Sequence, residues 1–145
     1  HTKEILQMLA NAGIDFLIDT NLSEELPNAK IASEEDFHTE FLDARLSARK
    51  VKNLEQAILE IEKYSSQHTE TILSQNIDSI RIFKENLDSA AIMVNCSTRF
   101  HDGGEFELGA EVGISTGKLH VRGPMGLMHL TTTTSYLNGN GQIRE

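Results

Sequence analysis

The side chains best suited to chemistry lie close together in the sequence, at Cys96, Ser97 and Arg99. An arginine beside a thiol favours the reactive thiolate, yet a single unpaired cysteine is more often a small buried residue. We therefore expect Cys96 to be structural. Arginine also offers a two-pronged donor to carboxylate or phosphate, and the glycines that follow in 103–113 could turn backbone N–H groups towards the same anion. An anion site and a surface arginine beside a loop are both open interpretations of this stretch.

Other patterns that carry chemistry are missing from the sequence. The six histidines have no spacing typical of zinc ligands, and the acidic run 34–36 lacks the spacing of a calcium loop. The glycines of 103–109 do not form a dinucleotide fingerprint. We therefore predict no metal site and no phosphate-binding nucleotide loop in this chain.

Composition narrows the function class. The 145 residues are 39% hydrophobic and 24% charged, and the net charge is −9. These values are typical of a soluble globular domain, and the negative charge argues against nucleic acid and anionic membranes as partners. One cysteine permits no internal disulfide, which is compatible with a reducing cytoplasm. No signal peptide or membrane span is predicted, and a chain that begins at His1 suggests a processed or truncated product.

The elements that would position these residues alternate along the chain. Apolar spacing predicts a helix over 2–12, and Asn53 with Gln56 forms a capping-box pattern that begins another. We predict strands at 14–18, 44–51, 71–73 and 90–94, helices at 77–87 and 125–130, and a strand at 131–137 before an Asn138-Gly139 turn. Strands that alternate with helices indicate an α/β fold of parallel βαβ units.

Two long runs of residues resemble the γ-glutamyl phosphate reductase family of the aldehyde dehydrogenase superfamily. The run that resembles its C-terminal signature consists of Val94 to Phe100, Asp102-Gly103-Gly104, Leu108 to Thr116 and Arg122 to Leu127. The second run consists of Val51, Ala57-Ile58, Ile61, Tyr64, His68-Thr69-Glu70 and Ile72. The family usually has histidine or an aromatic residue where this chain has Glu60, which we interpret as a departure on an exposed helix face.

The resemblance implies a fold and a reaction. Residues 1–130 would be the C-terminal part of the catalytic, thiol-bearing domain, and 131–145 an oligomerisation arm that pairs with another subunit. The family reduces L-glutamyl 5-phosphate with NADPH to glutamate 5-semialdehyde and phosphate, a step of proline biosynthesis. A cysteine thiolate attacks the acyl phosphate, and that cysteine precedes this chain in the family. Cys96 then occupies a position that is normally a small residue.

The resemblance also implies roles for individual residues. Glu40 matches the glutamate that contacts the nicotinamide ribose in aldehyde dehydrogenases, and Leu42 occupies the neighbouring position. Glu40 could instead be one more loop carboxylate. Four residues are candidates for the glutamyl carboxylate or the phosphate: Ser97, Arg99, Gly109 and Ala110. Glu111 would repel both anions and is expected to anchor the loop, while His68 is expected to satisfy a backbone group at a strand start.

Three hypotheses follow for the chain itself. The first is a cytoplasmic fragment of the reductase, inactive alone, that forms homo-oligomers through its C-terminal arm. The second is a self-standing, non-catalytic interaction domain with the aldehyde-dehydrogenase-like fold. The third, in which Cys96 is a working nucleophile, requires a thiol more reactive than free cysteine.

Overall fold

A computed structural model describes residues 2–109, 111–113 and 115–143. The chain divides into two compact units. Unit 1 joins the chain up to Ser65 with Asn76–Leu87, and unit 2 joins Ser66–Gln75 with the chain from Asp88 onward. The described residues form four α-helices and five strands.

Unit 1 is built around a three-stranded parallel sheet. After helix α1 (Thr2–Asn11), the strands β1 (Asp15–Ile18), β2 (Lys30–Ile31) and β3 (Arg45–Ala48) pair in the order β2-β1-β3. Gly13 has a φ of +87° and turns the chain from α1 into β1, a conformation that glycine adopts at helix ends without strain. The core contains Leu6 of α1, Phe16 and Ile18 of β1, and Leu22. Only Ile18 is completely buried among the described side chains.

Two further helices of unit 1 begin at capping residues. Helix α2 (Leu54–Tyr64) begins after Asn53, whose Oδ1 accepts from the N–H of Gln56 at 2.9 Å. The Gln56 side chain accepts in turn from the N–H of Lys52 at 3.0 Å, so the reciprocal bond forms one residue before the cap. Helix α3 (Ile77–Asn86) has the same kind of cap at Asn76. The two helices contact each other, as their apolar spacing predicts.

Unit 2 contains a parallel pair of strands followed by loops. Strand β4 (Thr69–Ile72) pairs with β5 (Ala91–Val94). A 3₁₀ turn at Thr98–Phe100 follows β5, and a short helix α4 (Leu127–Leu130) comes after the glycine-rich region. The His129 side chain accepts from the N–H of Gly126 at 3.0 Å and so satisfies a donor at the start of α4.

The parallel α/β architecture predicted from the sequence is confirmed, and the strand partners are now defined. Strand β3 pairs with β1, in the register Phe16↔Leu46, while β4 pairs with β5. The strands predicted between 44 and 94 therefore belong to two sheets. Helix α2 connects the two sheets, and α3 makes the parallel crossover from β4 to β5.

The strand predicted over 131–137 and the turn predicted at Asn138-Gly139 are not formed in the single chain. Residues 131–139 are assigned neither helix nor strand. Threonines favour extended backbone, but a strand also needs the N–H and C=O groups of a neighbour. Within the described part of the chain no strand pairs with this segment. Its proposed pairing with another subunit stays a prediction.

No helix in the described ranges combines the length and the apolar character that crossing a membrane would require.

Candidate functional site

In unit 1, the segment that carries Glu40 and Leu42 runs from a 3₁₀ turn (Glu35–Phe37) to the start of β3. Glu40 is exposed, and no hydrogen bond or ion pair engages its carboxylate within the described residues. Leu42 has a φ of +51° and a side chain that is 89% exposed. A leucine seldom adopts this left-handed backbone conformation. The two predicted cofactor-contacting side chains therefore lie two residues apart, and both are open to a ligand.

The same segment is anchored by an arginine that the sequence did not single out. The Arg49 guanidinium lies 3.9 Å from the centre of the Phe37 ring, and its Nη1 donates to the Tyr64 hydroxyl at 2.9 Å and to Glu60. The expectation that Glu60 lies on an exposed helix face is wrong, since its side chain is 27% exposed and forms an ion pair. Helical spacing gave no sign of this contact, because it depends on how β3 and α2 pack.

In unit 2, the candidate anion-binding residues follow a tight turn after β5. Asn95 has a φ of +54°, and its amide both accepts from the N–H and donates to the C=O of Ser74, at 2.8 Å each. Ser97 Oγ accepts from the N–H of Arg99 at 3.2 Å and begins the 3₁₀ turn. The Arg99 side chain is exposed and forms no ion pair with the described residues. The turn thus presents an arginine that is available to an anion.

Cys96 lies in this turn and is exposed. The expectation that it is a small buried residue is therefore wrong. The turn after β5 leaves its side chain outside the packed strands, while its carbonyl accepts from the Thr71 hydroxyl at 3.3 Å. Its lack of burial does not make it a nucleophile.

The glycine-rich loop of unit 2 is fixed by backbone contacts. The Glu111 carboxylate accepts from the N–H of Gly103 at 2.9 Å, which agrees with its expected role as a loop anchor. The Val112 N–H donates to the Met125 carbonyl at 3.0 Å, and a Cβ on Gly126 would lie 2.5 Å from the Leu108 carbonyl oxygen. A side chain at position 126 would therefore push this loop away.

Gly109 lies in the same loop with a φ of +75°, and no described atom lies within 4 Å of where its Cβ would be. Its backbone is therefore open to a ligand on the side where other residues carry a side chain. The fourth candidate, Ala110, lies outside the described residues.

A histidine pair joins the strand start to this loop. The Thr69 hydroxyl lies 2.7 Å from Nδ1 of His68 and 2.7 Å from Nδ1 of His101, and the two rings are 4.7 Å apart. The expectation that His68 satisfies a backbone group is wrong, because its partner is this hydroxyl. His101 is buried. Burial and the neighbouring His68 lower the pKa of His101, and Glu111 partly opposes them.

Among the described residues, no group of three histidine, cysteine, aspartate or glutamate side chains is arranged to hold a metal ion.

Parallel strands linked by helices define an α/β protein, with an exposed carboxylate segment in one unit and an exposed arginine-bearing turn in the other. No family model matches the chain. It is 61% identical over 142 residues to the γ-glutamyl phosphate reductase of Leptospira interrogans, covering 98% of this chain and 34% of that protein. It is 48% identical over 145 residues to the γ-glutamyl phosphate reductase of Bacillus subtilis, covering 100% of this chain and 35% of that protein.

A solved structure gives the same result. The crystal structure of γ-glutamyl phosphate reductase from Thermotoga maritima matches 97% of this chain with a TM-score of 0.84 and 42% identity, over 34% of its own length. The chain thus spans about a third of the length of the relatives it matches. In sequence and in fold, it corresponds to that part of a γ-glutamyl phosphate reductase.

Proposed function

We propose that this chain is the C-terminal third of an NADPH-dependent γ-glutamyl phosphate reductase of proline biosynthesis. The reaction converts L-glutamyl 5-phosphate, NADPH and a proton into L-glutamate 5-semialdehyde, NADP⁺ and phosphate. The observation that carries this proposal is 61% identity over 98% of the chain to a reductase with that name. The proposed place of work is the cytoplasm, with which a chain of one cysteine and no internal disulfide is compatible.

On this proposal the chain supplies binding groups and not the nucleophile. The attacking cysteine belongs to the part of the enzyme that precedes these residues, and so does most of the nucleotide site. Cys96 is exposed, and its side chain has no described partner that would activate it. The isolated chain is therefore inactive as a reductase.

Glu40 and Leu42 contact the cofactor in this proposal. The Glu40 carboxylate has acceptor capacity for two ribose hydroxyls, since within the described part of the chain nothing else engages it. The exposed Leu42 offers apolar surface beside it. These features fit a nicotinamide nucleoside, which supplies the hydride when bound.

Residues of unit 2 bind the substrate in this proposal. Glutamyl phosphate carries two anionic ends, and the Arg99 guanidinium can bind either one through two parallel hydrogen bonds. Ser97 adds a hydroxyl at the start of the same turn, and Gly109 and Ala110 add backbone groups. Glu111 is occupied by its bond to Gly103, which holds the loop in place.

The assignment of Arg99 can be tested in an active enzyme. A chimera would join the preceding part of the Leptospira interrogans reductase to this chain. Replacing Arg99 by Gln in the chimera should raise KM for glutamyl phosphate about 10- to 100-fold, the scale of lost hydrogen bonds to a charged group. KM for NADPH should not change.

A matched control removes another exposed arginine. Arg81 of α3 pairs with Glu85 at 2.7 Å, so Arg81→Gln removes a similar charge from a helix surface. An Arg99→Gln chimera with unchanged KM for glutamyl phosphate, or an equal effect of Arg81→Gln, would overturn the assignment.

A further inference from the structure

Arg49 joins three segments of unit 1. It follows β3, and its Nη1 donates to Glu60 and, at 2.9 Å, to the hydroxyl of Tyr64, both on α2. Its Nη2 lies 3.5 Å from Glu34, and its guanidinium covers the Phe37 ring. The side chain is only 23% exposed. A planar cation thus connects β3 and α2 with the residues before Glu40.

The Tyr64 hydroxyl completes these contacts. It donates to Glu34 Oε1 at 2.6 Å and accepts from Lys63 at 2.8 Å, while Lys63 also pairs with Glu34. The bonds from Lys63 and Tyr64 lower the pKa of Glu34 to about 2. The bond to Glu34 raises the pKa of Lys63 to about 12. Both shifts favour the charged forms of Glu34 and Lys63, so the pair stays ionised near neutral pH.

We call this set the Arg49 network. Its members are Glu34, Phe37, Arg49, Glu60, Lys63 and Tyr64.

The Arg49 network contacts the residues directly before Glu40. Phe37, the last residue of the Glu35–Phe37 turn, packs its ring against the Arg49 guanidinium, and the centre of the His38 ring lies 4.7 Å from that of Tyr64. Thr39 then donates to the carbonyl of the first residue of that turn at 2.8 Å. Glu40 is the next residue. On its other side, the half-buried Phe41 ring lies 5.8 Å from the Arg45 guanidinium, and the Ala44 carbonyl accepts from the N–H of Asp15 at 2.9 Å. The Arg49 network therefore fixes the backbone on the N-terminal side of Glu40.

We propose that the Arg49 network positions Glu40 for the nicotinamide ribose of the bound coenzyme. This inference rests on the proposed function, because it gives the segment a coenzyme to meet. Arg49, Tyr64 and Glu34 are positioning residues: they do not touch the coenzyme, and they fix the backbone from which Glu40 reaches it.

The strength of the network comes from its combination of contacts. An exposed ion pair contributes little by itself. Here a largely covered guanidinium stacks on an aromatic ring and holds two carboxylates and a hydroxyl, and such linked contacts order one another. Loss of one member should therefore loosen the whole 34–40 segment.

The Tyr64→Phe variant tests this with little change in shape. It keeps the ring that packs on Phe37 and His38 and deletes the hydroxyl shared by Glu34 and Arg49. In the 145-residue chain, backbone amides of 37–42 should exchange about three- to ten-fold faster with deuterium, the scale of one lost hydrogen bond. In the chimera, KM for NADPH should rise about three- to ten-fold. There kcat and KM for glutamyl phosphate should stay within about two-fold.

Arg49→Lys is a second variant, because a lysine keeps the charge and loses the fork and the stacking plane. It should change the same amides and the same KM. Arg81→Gln is the matched control, since it breaks an exposed ion pair of the same unit outside the network. It should change neither.

The outcomes separate this inference from the proposed function. Unchanged exchange at 37–42 in both variants would overturn the inference. Faster exchange with an unaltered KM for NADPH, in a chimera that is active, would also overturn it while the reductase assignment stands. A well-folded wild-type chimera without reductase activity would instead overturn the proposed function.

Discussion

Truncation of Ile18 should test how far unit 1 depends on its small core. Ile18 has no exposed surface and is surrounded by Leu6, Phe16 and Leu22. Isoleucine-to-alanine changes at buried sites cost about 2–5 kcal/mol, because a cavity adds to the lost burial. Complete burial in the middle strand of the sheet places Ile18→Ala in the upper half of that range, about 3.5–5 kcal/mol. Ile18→Val should cost about 1 kcal/mol.

These losses are large compared with the unit itself. A unit of roughly 80 residues is stable by about 4–12 kcal/mol. The free energy of unfolding falls by about 1–3 kcal/mol for each 1 M of urea. Urea unfolding followed by circular dichroism should therefore show the midpoint concentration falling by at least about 1 M for Ile18→Ala. Faster hydrogen–deuterium exchange of the β1 amides in Ile18→Ala would show that the loss of stability lies in unit 1.

A surface control completes the comparison. Leu59 of α2 is 64% exposed, so Leu59→Ala should cost less than about 0.5 kcal/mol. An Ile18→Ala chain within about 1 kcal/mol of wild type would refute the reasoning, since the free-energy cost of a buried cavity would then be missing. Equal losses at the two positions would refute it as well.

Three further predictions concern unit 2 and the C-terminal arm. The lowered pKa of His101 means that the unfolded chain binds the proton more readily, so stability should fall as pH drops through 6.5 and below; His101→Gln should flatten this slope in urea titrations, and an unchanged slope would contradict it. Because Cys96 is exposed, a disulfide reagent should titrate one thiol in the native chain, at a rate no higher than that of free cysteine; a need for denaturant would be inconsistent with the structure. Light scattering should show a dimer that becomes monomeric when residues from 131 onward are deleted, and a wild-type monomer at high concentration would disprove that role of the arm.

Helices α1 and α2 can be predicted from local features of the sequence. The helix cap at Asn53 depends only on residues within one turn, and the apolar spacing of α1 depends only on its own residues. Each was therefore predictable from the sequence. The 131–137 segment differs because its strand character needs a partner from elsewhere.

The contacts of the candidate site were less predictable. His68 and His101 lie far apart in the sequence, and only the pairing of β4 with β5 and the turn that follows bring their rings together. Glu60 was misjudged for a similar reason, since helical spacing indicates which face a residue occupies and not that Arg49 approaches that face. Arg99 and Glu40 are proposed through family resemblance, since their own residue types carry no more than a weak signal, and their roles stay predictions.

The central claim is tested most directly by one absorbance measurement. NADPH consumption in the presence of glutamyl phosphate is followed for the isolated 145-residue chain and for the chimera that restores the preceding part of the enzyme. We predict turnover by the chimera and none by the chain alone. Turnover by the isolated chain, or a folded chimera that consumes no NADPH, would contradict the claim.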